Sequence, residues 1–405
     1  MKHLVTLAAM TVGGATATHA GGIDRSGQPL GVLFKEGNYL EFSVAHTNPD
    51  VSGEDLGQSP PGFPFPYSSG LSYDSVAGDY TSYGFGLKYD INDRFSVSVI
   101  GAEDFGADIK YPDEAGSLLG GTVANANTYA ISVYGRYRID DNWSVHAGLR
   151  ADRADGNIKL NGLAYGGPLQ VDPATGQTVG GGVSGYEVDL GERTDYGYAV
   201  GAAYEIPEIA LRLAVTYFSS IEHEFKTTES FAVDVNGDGV PDATNSSRSA
   251  KTKVKTPQAV NIDFQTGVAE NTLVFGGIRW AKWSEFKIAP ELFEQATGGG
   301  LVDLEDSTTY TIGVGHRFNE NFSGSASFIY EKPGDRLVSP LAPSTGLQAI
   351  ALGGSYRIDQ WEISGGVRYS WLGKAKAETG TPDVARAVFD DSTAVSVGMR
   401  VGYYF

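Results

Sequence analysis

The sequence has no cysteine, 3 methionines in 405 residues, and no stretch near the roughly 18 consecutive apolar residues that a membrane-spanning helix needs. Without thiols there are no disulfides, no cysteine metal sites and no thiol catalysis. Positive charge is also short: 30 Lys and Arg face 49 Asp and Glu, a net charge of −19 that argues against nucleic acid as a partner. Lack of an apolar helix does not exclude a membrane protein. Barrel strands alternate lipid-facing and lumen-facing residues, so no averaging window sees them.

At the N-terminus, Lys2 and His3 precede an apolar, small-residue stretch from Leu4 to Ala17, and Thr18-His19-Ala20 has the small-x-small pattern of a signal-peptide cleavage site. Residues 1–20 are therefore expected to be a secretion signal, with a mature chain beginning at Gly21.

The rest repeats one grammar: an alternating run, a tight turn, another alternating run, a long polar connection. Turn-forming residues stand at Asn92-Asp93, Asp140-Asp141-Asn142, Pro207-Glu208, Ala269-Glu270-Asn271, Asn319-Glu320-Asn321 and Asp359-Gln360. Long connections rich in Gly, Pro, Asp, Ser and Thr are expected at 48–78, 109–124, 159–192, 222–255, 287–306, 333–345 and 375–391. Six short and seven long connections imply fourteen strands. Strict short–long alternation fits a closed barrel with short turns at one end and long loops at the other, as in bacterial outer membranes.

Period two separates the faces. Val395, Val397, Met399 and Val401 oppose Ala394, Ser396, Gly398 and Arg400; Ile363, Val367, Tyr369 and Trp371 oppose Glu362, Ser364 and Arg368. The apolar set must face lipid, where a midplane charge costs about 2–4 kcal/mol. By parity the lumen receives Glu41, Lys88, Arg136, Arg150, Arg212, Asp263, Arg317, Arg368 and Arg400. Such residues either cross-link the wall or hold a substrate carboxylate. Trp143, Trp280, Trp283, Trp361 and Trp371 are expected in the aromatic girdles, and the terminal Tyr403-Tyr404-Phe405 resembles the signal read by the barrel-insertion machinery. The fold class is thus all-β, a 14-stranded antiparallel transmembrane β-barrel over residues 37–405.

Thr256-Pro257-Gln258-Ala259-Val260, a turn, and then Gly276-Gly277-Ile278-Arg279-Trp280-Ala281-Lys282-Trp283-Ser284-Glu285-Phe286 form a proline-started strand followed by one ending in Trp-Ser-x-Phe. With the strands from Tyr310 to Lys374, including Tyr330-Glu331-Lys332-Pro333, this resembles the FadL-type family of outer-membrane transporters for long-chain fatty acids and other hydrophobic compounds. The resemblance implies a monomeric, non-enzymatic channel for passive uptake of a hydrophobic molecule, without a cofactor for transport. Loops would capture the cargo, a hatch inside the barrel would be passed, and a kinked third strand would allow lateral exit. Gly21 to Glu36 would be the hatch, a short plug with Leu30, Val32, Leu33 and Phe34 as apolar pocket candidates. Asp104-Phe105-Gly106 occupies the place of the family's Pro-Phe-Gly, so Gly101, Asp104, Phe105 and Gly106 would form the kink, with Phe105 also a substrate contact. A capture groove between the third and fourth long loops would use Leu160, Leu163 and Tyr165; a self-packed loop core is the alternative. An aqueous diffusion porin and a structural or adhesive barrel are the competing functions.

Two further patterns bear on chemistry. Asp234, Asn236, Asp238, Val240 and Asp242, with Gly239 at the sixth position, follow the spacing of a calcium loop, although Asn245 stands where a bidentate Glu is usual. A structural calcium in the fourth long loop is one reading and a plain polar turn the other. His46, His146, His223 and His316 show no triad or metal-ligand spacing, so no catalytic residue is assigned.

Overall fold

The computed structural model describes residues 23–57, 70–114, 116–175, 178–380 and 383–405, without the side chains of 178 and 246–250. The expected signal peptide and its cleavage point, with Gly21 and Gly22 of the plug, lie outside the described residues.

Fourteen antiparallel strands close a barrel: β1 (Tyr39–Asp50), β2 (Tyr80–Asp90), β3 (Phe95–Ala102 and Gly106–Lys110), β4 (Val123–Arg138), β5 (Trp143–Leu160), β6 (Tyr186–Ile206), β7 (Leu211–Phe218 and Glu222–Asp234), β8 (Ala243–Lys255 and Ala259–Ala269), β9 (Thr272–Ala281), β10 (Ser307–Arg317), β11 (Phe322–Glu331), β12 (Leu347–Ile358), β13 (Trp361–Leu372) and β14 (Thr393–Tyr404). Closure comes from β1, which pairs with β14 through Tyr39↔Tyr404 and with β2 through Tyr39↔Lys88. A closed ladder leaves no edge, which hydrocarbon could not solvate.

Alternation along β13 and β14 falls as expected: Ile363, Val367, Tyr369, Val395, Val397 and Met399 are exposed outward, while Arg368, Ala394 and Ser396 are buried inward. Trp143, Trp361 and Trp371 are outward girdle residues. Trp283 is not. After β9 ends, a 3-10 turn at Trp283–Glu285 breaks the alternation and swings this indole into the lumen, where it is fully buried.

The fourth long connection also differs from expectation. Most of 222–255 is a long hairpin, the outer pieces of β7 and β8 pairing from Glu222↔Lys255 to Val233↔Ala243, and only its tip is loop. Its Ser, Thr and charged residues sit on a ladder beyond the membrane, where period-two alternation carries no apolar signal.

The outer mouth is capped. Gly53–Asp55, Ser72–Tyr73, Ala375–Ala377 and Ala387–Phe389 form a four-stranded sheet joining the first and seventh long loops. Beneath it Tyr73, Tyr111, Leu118, Leu119, Tyr186 and Phe389 pack into an outer apolar cluster, each such side chain contributing about 1.5–3 kcal/mol on burial. Within this cap the Tyr73 hydroxyl donates to Asp55, whose carboxyl is pushed up chiefly by burial, the Leu118 and Tyr73 hydrogen bonds opposing the rise. A second cluster, with Leu30, Leu33, Phe105, Phe218 and Trp283, lies deeper, around the N-terminal segment.

Candidate functional site

Strand β3 carries the main irregularity. Its lower piece pairs with β4 down to Ala102↔Ala130, and the upper piece resumes at Gly106↔Asn127, so Glu103, Asp104 and Phe105 stand opposite only Thr128 and Tyr129. One extra residue is a β-bulge, which bends the strand and frees its backbone on the other side. That other side faces β2. The β2–β3 ladder runs from Asp90↔Ser96 to Phe85↔Gly101 and stops there. Pairing resumes only where Val76, Ala77 and Gly78 meet Asp108 to Lys110. Between these two seams the wall has a window.

The N-terminal segment fills that window from inside. Arg25 N and Ser26 N donate to the Asp104 carbonyl at 2.9 and 3.3 Å, and Gly106 N donates to the Ile23 carbonyl at 2.9 Å. Asp104 is buried, accepts from Ser26 Oγ (2.8 Å) and Gln28 Nε2 (3.2 Å), and pairs with Arg150. Arg25 pairs with Glu103 and lies 4.0 Å over the Tyr80 ring. Asp104 thus holds the N-terminal segment, a role beyond the strand break expected of it. The two glycines owe their place to close approach: a Cβ at Gly106 would run into the Arg25 guanidinium, and one at Gly101 into the Phe85 ring.

Across the lumen a second clamp holds the same segment. Arg279 on β9 donates through Nε to Asp24 (2.8 Å) and through Nη1 to Gln28 Oε1 (3.2 Å) and Asn261 Oδ1 (2.9 Å); Asn261 Nδ2 donates to the Gly27 carbonyl at 2.9 Å. Towards the inner end, Phe34 lies beneath Arg136 and Arg212 at 4.6 and 4.5 Å, Lys88 Nζ donates to the Gly37 carbonyl (2.9 Å), and Lys35 pairs with Glu362 at 2.8 Å. Glu41 and Glu362 lie 3.6 and 3.7 Å from Arg400, and Arg317 bonds Asn271. Parity found most of these lumen charges. It did not single out Arg279, Asn261, Asp24 or Gln28, although Arg279 lies opposite outward Ile278 and could have been placed by the same rule.

Beside the N-terminal segment is a small apolar cavity of about 80 Å³ walled by Ile23, Phe105, Phe225, Pro257, Trp283 and Leu341. Phe105 and Trp283 meet edge to face with centroids 5.4 Å apart. His223 is on its edge, buried with Nε2 3.5 Å from Asp152 and Nδ1 3.3 Å from Asp195, carboxylate neighbours that sequence spacing did not suggest. Nearer the outside, a cleft of about 1090 Å³ opens between the fifth, sixth and seventh loops, with Leu160 and Tyr165 of the third loop, Phe293 and Leu341 in its lining.

A family model described as outer membrane protein transport protein (OMPP1/FadL/TodX) matches residues 53–405. The chain belongs to this family. It is an outer-membrane β-barrel of a transport family, not an enzyme. Among relatives, the long-chain fatty acid transport protein of Escherichia coli K12 is 22% identical over 345 residues, covering 78% of this chain and 74% of that protein. In fold, it is similar to a Pseudomonas aeruginosa FadL homologue (TM-score 0.70, 15% identity, 93% and 92% of the two chains). It is also similar to the Pseudomonas putida toluene transporter TodX (TM-score 0.64, 16% identity, 97% and 98%).

In this FadL/TodX family member the expected site residues separate into groups. Leu30, Leu33 and Phe105 share the inner cluster, with Phe34 against it, and buried Val32 packs near Gly86. Leu160 and Tyr165 belong to the outer cluster and its cleft, whose lining holds no residue of the fourth-loop tip. Leu163 is more exposed than either and lies outside that lining. The calcium-spaced residues share the hairpin tip, but their oxygens accept backbone N–H groups: Asp234 from Gly237 (2.6 Å) and Gly239 (2.8 Å), Asp242 from Val235 (2.9 Å) and Asn236 (3.1 Å), Asp238 from Val240 (2.8 Å). Among the described residues no three His, Cys, Asp or Glu are grouped to hold a metal ion.

Proposed function

We propose that this barrel is a passive channel for hydrophobic molecules, taken up at the outer cleft, passed through the apolar cavity beside the plug, and released sideways through the window between β2 and β3. The observation that carries the reading is the window itself, closed from inside by Ile23 to Ser26 and adjoining a cavity walled by Phe105 and Trp283. Apolar lining suits a cargo that leaves water without needing polar partners, and exit through the wall delivers it into lipid rather than the periplasmic solvent. The cargo of the relatives, long-chain fatty acids in one and toluene in another, agrees with a hydrophobic cargo here. Leu30 and Phe105 border the route, and Leu160 and Tyr165 its outer approach.

An aqueous porin needs an open lumen, whereas here two clamps hold a plug across it. Two measurements on the intact protein separate the readings. In planar bilayers the barrel is expected to be nearly silent to ions, and cells lacking it are expected to lose uptake of a radiolabelled hydrophobic carbon source, regained on re-expression. A large steady current in the intact protein, with uptake unaffected by its loss, supports the porin instead.

The finer proposal for the hairpin tip is calcium at Asp234, Asn236, Asp238, the Val240 carbonyl and Asp242, which requires the carboxylates to turn from the amides they now accept. Calorimetric titration of calcium is expected to give one site per chain, lost in Asp234→Asn. No heat leaves the tip as a turn held by its own hydrogen bonds.

A further inference from the structure

Among the described residues, the lining of the inner cavity has neither Lys nor Arg. Its charged or titratable groups are Asp155 and His223, the latter set between two carboxylates. Nearby guanidinium groups are committed to acids: Arg25 to Glu103, Arg150 to Asp104 and Arg279 to Asp24. The outer cleft repeats this bias. Among the described residues of its lining acidic ones outnumber basic ones seven to two, and both basic residues are paired, Lys332 with Asp335 and Arg336 with Glu305, each at 3.2 Å. Glu378 in the cleft has its carboxyl pushed up by burial first and then by neighbouring Asp383 and Asp303. Leu341 lines both spaces and so marks where one leads to the other.

We infer that the channel admits uncharged hydrophobic molecules and discriminates against those bearing a carboxylate, with the acidic outer cleft and the cation-free inner cavity as two successive charge filters. This rests on the hydrophobic-channel reading and narrows its substrate class. A carboxylate entering the cleft meets like charge, and one entering the cavity is stripped of water with no cation to receive it. An ester, a hydrocarbon or an alcohol meets neither penalty. Within a family whose relatives include a fatty acid transport protein and a toluene transporter, the charge on these walls favours neutral cargo.

The test uses two probes with one skeleton, methyl 2-naphthoate and 2-naphthoate, titrated calorimetrically into the detergent-solubilised full barrel near neutral pH, each corrected for partition into empty micelles. After that correction the ester is expected to bind at least about tenfold more tightly, the order of effect when a buried charge lacks a partner. Leu341→Lys puts a cation where the spaces meet, and Asp303→Lys does so on the exposed rim, where folding is not at stake. Each is expected to narrow the ratio of ester to carboxylate affinity, the readout being that ratio rather than either affinity alone. A carboxylate that binds wild type as tightly as the ester overturns the inference and leaves the hydrophobic channel standing. If neither probe binds, the channel reading fails with it.

Discussion

Removal of residues 23–34 from the barrel is expected to convert a nearly silent protein into one that conducts ions, single-channel current in planar bilayers rising by about an order of magnitude or more. The wall behind the plug carries Arg136, Arg212, Asp263 and Arg279, so a vacated lumen fills with water rather than collapsing. Arg279→Ala is the milder form. It strips Asp24 of its ion pair at 2.7 Å and removes the donor to Gln28 Oε1 and Asn261 Oδ1. Losing one partner of a buried charge pair costs about 3–5 kcal/mol, or roughly two to four orders of magnitude in the docking equilibrium of the segment. Bursts of conductance are therefore expected from Arg279→Ala and a steady current from the deletion. A deletion variant as silent as the parent would mean that something other than this segment blocks the lumen.

Closing the window is the second large effect. Because three residues of β3 oppose two of β4, deleting Glu103 alone restores equal numbers between Ala102↔Ala130 and Gly106↔Asn127. A regular β3 can then extend its ladder onto the stretch of β2 from Thr81 to Gly84, whose ladder partner is β1. The barrel is expected to assemble normally, judged by heat-modifiable migration on gels, while uptake of a radiolabelled hydrophobe falls by about tenfold or more for want of a lateral exit. Full uptake with a straightened strand would move the exit elsewhere, the lumen being the alternative. The two variants act on separate barriers: plug removal changes ion current, and bulge removal changes hydrophobe delivery.

What the sequence determined by itself is what a short window of chain can encode. Strand number follows from turns such as Asn92-Asp93 and Asp359-Gln360, and lipid and lumen faces from the two-residue period, because both signals are complete within a single strand or hairpin. The same locality explains the errors. Trp283 lies two residues past its strand, where parity lapses, and the polar outer pieces of β7 and β8 carry no apolar alternation to mark them as strands. Gly101 and Gly106 stand out in the sequence, but the Phe85 ring and the Arg25 guanidinium that require them lie far from their own neighbours in the chain.

Only the tertiary structure decided which charges meet. Asp24 finds Arg279 across 255 residues of chain and Asp104 finds Arg150 across 46, contacts that exist only once the barrel has closed around the plug. The bulge likewise depends on counting β3 against β4, and the cavity on stretches as far apart as Ile23 and Leu341 arriving at one place. Period-two alternation could set the absent cysteine, the sparse cations and the hidden apolar faces into a barrel. Whether a lumen arginine is spoken for, and so whether a passing carboxylate has a partner, is fixed by long-range pairing that no local pattern contains.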